Sequence, residues 1–172
     1  MSGRRWAAVA VILVLVGATA SAPLARYVLP EIVAIAYDIQ EREIVYSWGG
    51  GHAERPGPSK GTCLGYSGKI KPCPAARTRG LDCSGFTRWV YALAHGTDVL
   101  GPGNTDDHLR RMRRVDSPRP GDLVFFGKSR KKTRHVGIYL GQGRMMNAPE
   151  TGAMVRVDDI DRVKGFLGFY RF

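Results

Sequence analysis

The sequence predicts an α+β domain: helices toward the N-terminus packed on a central antiparallel sheet, with a cysteine at the start of one helix. Three observations predict it. Apolar residues recur three and four positions apart over 32–39 and 86–94, the spacing of one helix face. The segment "HVGIYLGQGRMMNA" (135–148) alternates, turns at glycines and returns, as a hairpin does. In "RPGDLVFF" (119–126) a Pro-Gly turn feeds an unbroken apolar run, the pattern of a buried strand. With 172 residues, 44% of them hydrophobic, the chain can bury one compact core.

The elements follow in order. "MSGRRWAAVAVILVLVGATASAPLAR" has a basic start (Arg4, Arg5), an apolar run and small residues, with Ala18-Thr19-Ala20 fitting an A-x-A cleavage pattern. Residues 1–20 are therefore expected to be a secretory signal. The competing reading is an uncleaved membrane anchor, because Trp6 to Ala25 is free of charge. Either way the remainder is exported, to the cell envelope or beyond. Lys and Arg number 26 against 15 Asp and Glu, a formal +11 that favours polyanionic surroundings. Export excludes nucleic acid and leaves envelope polyanions; a membrane is a partner only if the anchor stays.

After a short linker (21–29), "LPEIVAIAYDIQ" opens with Pro30 and places Ile32, Ile35, Ala36 and Ile39 on one face, a helix for packing on the sheet. Cys63 and Cys73 then lie ten apart in a Gly- and Pro-rich loop, "GTCLGYSGKIKPCP". In an oxidising compartment they are the natural disulfide pair, which leaves Cys83 as a free thiol. No spacing suits zinc. In "LDCSGFTRWVY" a helix should begin near Asp82–Ser84. Cys83 would then sit in the first turn, where free N–H groups and the helix dipole stabilise a thiolate, and Gly85 would leave room for a substrate backbone.

A nucleophilic cysteine needs a histidine and a group to orient it. His52 and His95 lie in Gly-containing segments, and His108 in "DDHLRRMRR" is expected on a solvated helix face. His135 opens the hairpin. A three-residue loop, Gly141 to Gly143, pairs 140 with 144 and makes His135 and Asn147 diagonal neighbours on one face. A two-residue loop would put them on opposite faces. "GFLGFYRF" reads as a terminal strand. The runs 110–114 and 128–134 read as solvated basic faces; the second, beside His135, can also hold anionic wall polymer.

Four segments in this order, "YSWGG", "LDCSGFTRWVY", "RPGDLVFF" and "HVGIYLGQGRMMNAP", resemble the NlpC-type family of papain-like bacterial cell-wall cysteine endopeptidases, from about Pro30 to the C-terminus. The resemblance implies a papain-like domain over 30–172 with Cys83 as nucleophile, His135 as base and Asn147 as the third residue. That third position is often His in the family, so Asn is a departure, though orientation needs only a hydrogen bond. It also implies that Tyr46 assists the oxyanion. The substrate implied is the peptidoglycan stem peptide, at the γ-D-glutamyl to diamino-acid bond. Asp82 and Ser84, flanking the nucleophile, are expected to bind a stem-peptide amine. Neither metal nor cofactor is required, and a monomer is expected. The 29 residues from His52 to Gly80 exceed the family's usual link and read as a groove wall or lid. Two rival readings are a cysteine amidase or acyltransferase on the same fold, and a non-catalytic wall-binding module.

Overall fold

The computed structural model describes residues 31–172. The expected signal, its cleavage pattern, the linker and Pro30 lie outside the described residues. Among the described residues no helix is long and apolar enough to cross a membrane.

Helix α1 spans Glu31–Gln40. Its buried face is Val33, Ala36 and Ile39, with Ile32 and Ile35 half-buried at the margin. The expected stripe is thus rotated by about one position, because α1 leans against the second helix as well as the sheet. Two short strands, β1 (Ser59–Lys60) and β2 (Arg79–Gly80), pair antiparallel and close the neck of the long loop. Helix α2 follows at Cys83–His95 and ends at Gly96, whose φ of 67° is the left-handed cap that glycine supplies without strain. Helix α3, Thr105–Arg110, opens with a capping box between Asn104 and Asp107.

The rest is sheet: β3 (Arg113–Val115), β4 (Leu123–Ser129), β5 (Lys132–Gly141), β6 (Arg144–Asn147), β7 (Arg156–Asp159) and β8 (Phe166–Arg171). They form one antiparallel sheet in the order β3-β8-β4-β5-β6-β7. Alternation sorts the core. Leu123 and Phe125 of β4, with Val136 and Ile138 of β5, meet Phe86, Val90 and Tyr91 of α2 on the helical side. Val124 and Phe126 point the other way and pack with Met145 and Phe169. β4 is therefore buried on both faces, which is why its sequence is apolar without a break.

The helical layer is tied down by one charge. Arg88 of α2 is fully buried. It bonds Asp98 at 2.7 and 3.0 Å and donates to the carbonyls of Gly51, Ala53 and Glu54. Those carbonyls begin the long loop, so Arg88 fastens the loop's first limb to the helix that carries Cys83.

Candidate active site

Cys83 occupies the first position of α2, and Asp82 is its N-cap. The Asp82 carboxylate accepts the Gly85 N–H at 2.7 Å. The N–H groups of Cys83 and Ser84 find no backbone acceptor among the described residues. Gly85 has a different reason from the one expected: a Cβ there would lie 2.2 Å from the Gly50 carbonyl oxygen. The glycine thus lets α2 pack on the "GGG" turn rather than admitting substrate. Cys83 is buried, 8% exposed, and its thiol is free. Burial, and next the Asp82 carboxylate, push the thiol up to about 12, against the pull of the N–H groups of Val136, Ser84 and Cys83 itself. Burial and the Asp82 charge thus oppose the stabilisation of a thiolate that the helix start provides.

His135 is brought to this sulfur by β5, whose next residue, Val136, directs its amide at Cys83. The hairpin that carries it differs from the expected one. The loop is two residues, Gln142 and Gly143, closed by the pair Gly141↔Arg144. Both loop residues have positive φ, 53° and 71°, as the right-handed twist of a tight hairpin requires. The next pairs are Tyr139↔Met145 and Ile138↔Met146, so one residue, Leu140, is absorbed as a bulge. The extra residue restores the register that a three-residue loop would have produced. His135 and Asn147 share a face, with Nε2 to Oδ1 at 2.8 Å.

The amide is itself held. Asn147 Nδ2 donates to the Arg156 carbonyl at 3.3 Å and to the Asp158 carboxylate at 3.0 Å. Both partners are acceptors only, so Oδ1 must face the imidazole. Nε2 of His135 therefore carries the hydrogen, and Nδ1 is its basic nitrogen. Burial lowers the His135 pKa; the Asn147 bond and the Asp158 charge oppose this. Burial thus acts against both charged forms, the Cys83 thiolate and the His135 imidazolium.

The cleft has two lobes that meet at Cys83 and Tyr46. One, about 450 Å³, is bordered by His135, Pro149–Thr151 and residues 67–70 of the long loop. The other, about 470 Å³, is bordered by Asp82, Ser84, His52, Thr62, Leu64 and 103–105. Arg134, from the basic run 128–134, edges both. Burial raises the Tyr46 hydroxyl pKa, with the Cys83 and Asp82 charges next, so the phenol stays a donor. The insertion over 52–80 walls both lobes. It is bridged by Cys63–Cys73. It leans on Trp48, which donates to the Leu64 carbonyl at 2.8 Å and meets Tyr66 edge-on at 5.4 Å.

Two histidines depart from expectation. His108 is fully buried, with Nε2 3.1 Å from the Gly101 carbonyl; α3 is too short to keep it in solvent, and desolvation brings its pKa down to about 4. His52, set aside in sequence, reaches Asp82 Oδ1 at 3.0 Å and Ser84 Oγ at 3.1 Å. Asp158 was also missed: its place beside Asn147 depends on the pairing of β7 with β6, which no local pattern reveals. The structure thus gathers Tyr46, Asp82, Cys83, Ser84 and His135 around one cleft, with Asn147 behind the imidazole.

A family model described as NlpC/P60 matches residues 43–164. The chain is 38% identical over 116 residues to the peptidoglycan endopeptidase RipA of Mycobacterium tuberculosis, 66% of this chain but 21% of RipA. It is 36% identical over 119 residues to RipB of the same organism, covering 68% of this chain and 42% of RipB. The chain thus spans less than half the length of these relatives. The solved peptidoglycan hydrolase RipB superposes with a TM-score of 0.62 at 30% identity, over 82% of this chain and 64% of that one. RipD, described as a non-catalytic NlpC/p60 domain protein adapted to peptidoglycan binding, superposes with a TM-score of 0.59 at 27% identity, over 82% and 96%.

Proposed function

Because this chain belongs to the NlpC/P60 family, its model matching residues 43–164, we propose that it is an exported cysteine endopeptidase acting on peptidoglycan stem peptides. The observation that carries this reading is the 2.8 Å bond of His135 to Asn147, on the strand whose next amide points at Cys83. It leaves a basic Nδ1 on a histidine that lines the same cavity as a free thiol.

The chemistry follows from that arrangement. Substrate enters the cleft and its carbonyl carbon meets Cys83 Sγ. As the S–C bond forms, the thiol proton passes to His135 Nδ1. Charge collects on the carbonyl oxygen, where the N–H groups of Cys83 and Ser84 and the Tyr46 hydroxyl are the available donors. Each such donor is worth about 3–4 kcal/mol in comparable sites. His135 then gives its proton to the leaving amine as the C–N bond breaks. Water, activated by the neutral imidazole, releases the acyl group from sulfur.

The bond favoured is that between γ-D-glutamate and the diamino acid, the substrate class implied by the resemblance. Peptidoglycan is the partner. The basic start, apolar run and small residues of 1–20, together with a disulfide that needs oxidising surroundings, support placement in the cell envelope. The likeness to RipD favours a second reading, a wall-binding module without turnover. Digestion of purified muropeptides followed by mass spectrometry separates them. The endopeptidase cuts within the stem, and Cys83→Ala and Cys83→Ser both abolish cutting while leaving the fold intact. Binding without cleavage by the native chain establishes the module instead.

A further inference from the structure

We infer that the acyl side of the cleft is built for stem peptides whose N-terminus is already acylated, as in chains still joined to glycan, and that His52 sets this selectivity against free N-terminal amines. The inference rests on the endopeptidase reading above.

The polarity of the cleft comes first. His135 must reach the leaving nitrogen, and it borders only the lobe shared with residues 67–70 and 149–151. That lobe takes the amine product. The other, at the N-terminus of α2, takes the acyl half.

A free ammonium in the acyl lobe would need a carboxylate. Among the described residues, Asp82 is the only acidic one that borders it. An ionised carboxylate has about two lone-pair sites on each oxygen, and here Oδ1 is fully used. Oδ1 accepts from Gly85 N at 2.7 Å, Ser84 Oγ at 2.9 Å and His52 Nε2 at 3.0 Å; Oδ2 accepts from Gly49 N at 3.2 Å. Ser84 is equally committed: its hydrogen goes to Asp82, and its oxygen faces His52 Nε2 at 3.1 Å. Because Asp82 only accepts and Ser84 has spent its hydrogen, Nε2 of His52 must carry a proton. The imidazole thus stands where an ammonium would donate. An N-acylated stem brings no charge and asks for no carboxylate. The Asp82 Oδ1 and Ser84 Oγ part of the expected amine site is therefore already occupied from within the chain.

The test uses two stem tripeptides, L-Ala-γ-D-Glu-diaminopimelate, identical except that one is N-acetylated. The full chain should favour the acetylated peptide by about 10-fold or more in kcat/KM, the discrimination expected when a charge is left unpaired. His52→Ala should raise kcat/KM for the free-amine peptide and shrink the ratio several-fold. His52→Gln, which keeps a donor, should hold the ratio near the native one. Equal or better cleavage of the free-amine peptide by the native chain overturns the inference, whether or not the variants fold. So does an unchanged ratio in folded His52→Ala. Cleavage of neither peptide instead sinks the endopeptidase reading beneath it.

Discussion

In the proposed mechanism Asn147 and Asp158 act only through His135, and their variants should differ in kind from those of Cys83. Loss of the 2.8 Å bond in Asn147→Ala removes the group that turns the imidazole. A bond of this strength, about 1.5–3 kcal/mol, corresponds to a roughly 10–100-fold fall in kcat with KM much less affected. Asn147→His keeps a hydrogen-bonding ring and should retain part of the activity. Asp158→Ala frees the amide to flip and should cost about fivefold in kcat, near 1 kcal/mol, while Asp158→Asn can still offer an oxygen and should cost less. Because the Asp158 charge holds the His135 pKa up, its loss should also move the acid limb of kcat/KM to lower pH. The native limb should itself fall below histidine's ordinary value of about 6.5, since burial lowers the pKa of a base that works only when neutral. A pH–rate profile of the three proteins checks both statements. Asn147 was reached in the sequence by counting along a hairpin with a three-residue loop; the loop has two residues, and the bulge at Leu140 gives the same pairing. Asp158 and His52 were not legible, because each arrives from a segment whose register or path is set by tertiary packing.

At the scale of elements, the long loop and α2 depend on different fastenings. The Cys63–Cys73 bridge closes ten residues of surface loop. Replacing both cysteines by serine should cost about 1–3 kcal/mol and raise KM more than it lowers kcat, because the loop walls both lobes. Urea titration and steady-state kinetics on muropeptides measure the two effects. Non-reducing peptide mapping should find this bridge beside one titratable thiol. Arg88 lies deeper. Arg88→Ala leaves the buried end of its ion pair empty and three loop carbonyls without a donor, and should cost about 3–5 kcal/mol, seen as a lower urea midpoint. The helix start at Asp82–Cys83 and the two hairpin strands were legible from caps, glycines and alternation. The bulge at Leu140 was not, since alternation does not tell which residue a strand will leave unpaired. The burial of Arg88 was not legible either, because the three carbonyls it holds lie 34 to 37 residues away and follow no period.

The whole molecule should be sensitive to acid through buried imidazoles. His108 is held neutral in the folded state, with its pKa near 4, while in the unfolded chain it takes a proton near 6.5. Between these values the unfolded chain binds the extra proton. Stability is therefore full above about pH 6.5 and falls as pH drops toward 4, by ~3 kcal/mol from this residue. His135, also lowered, adds in the same direction. Urea midpoints measured from pH 7.5 to 4.5 should decline, and His108→Gln should flatten the decline. The α+β architecture was legible as a whole because each of its large elements carries its own period. The burial of His108 was not, since a helix of six residues is placed by what surrounds it rather than by its own pattern. One consequence of the buried sulfur reaches beyond catalysis. This chain holds an oxidised pair and a reduced thiol only ten residues apart, Cys73 and Cys83. Peroxides attack thiolates far faster than thiols. Burial opposes the thiolate form of Cys83, so the same burial should also shield this sulfur from peroxide wherever the loop's bridge is kept oxidised.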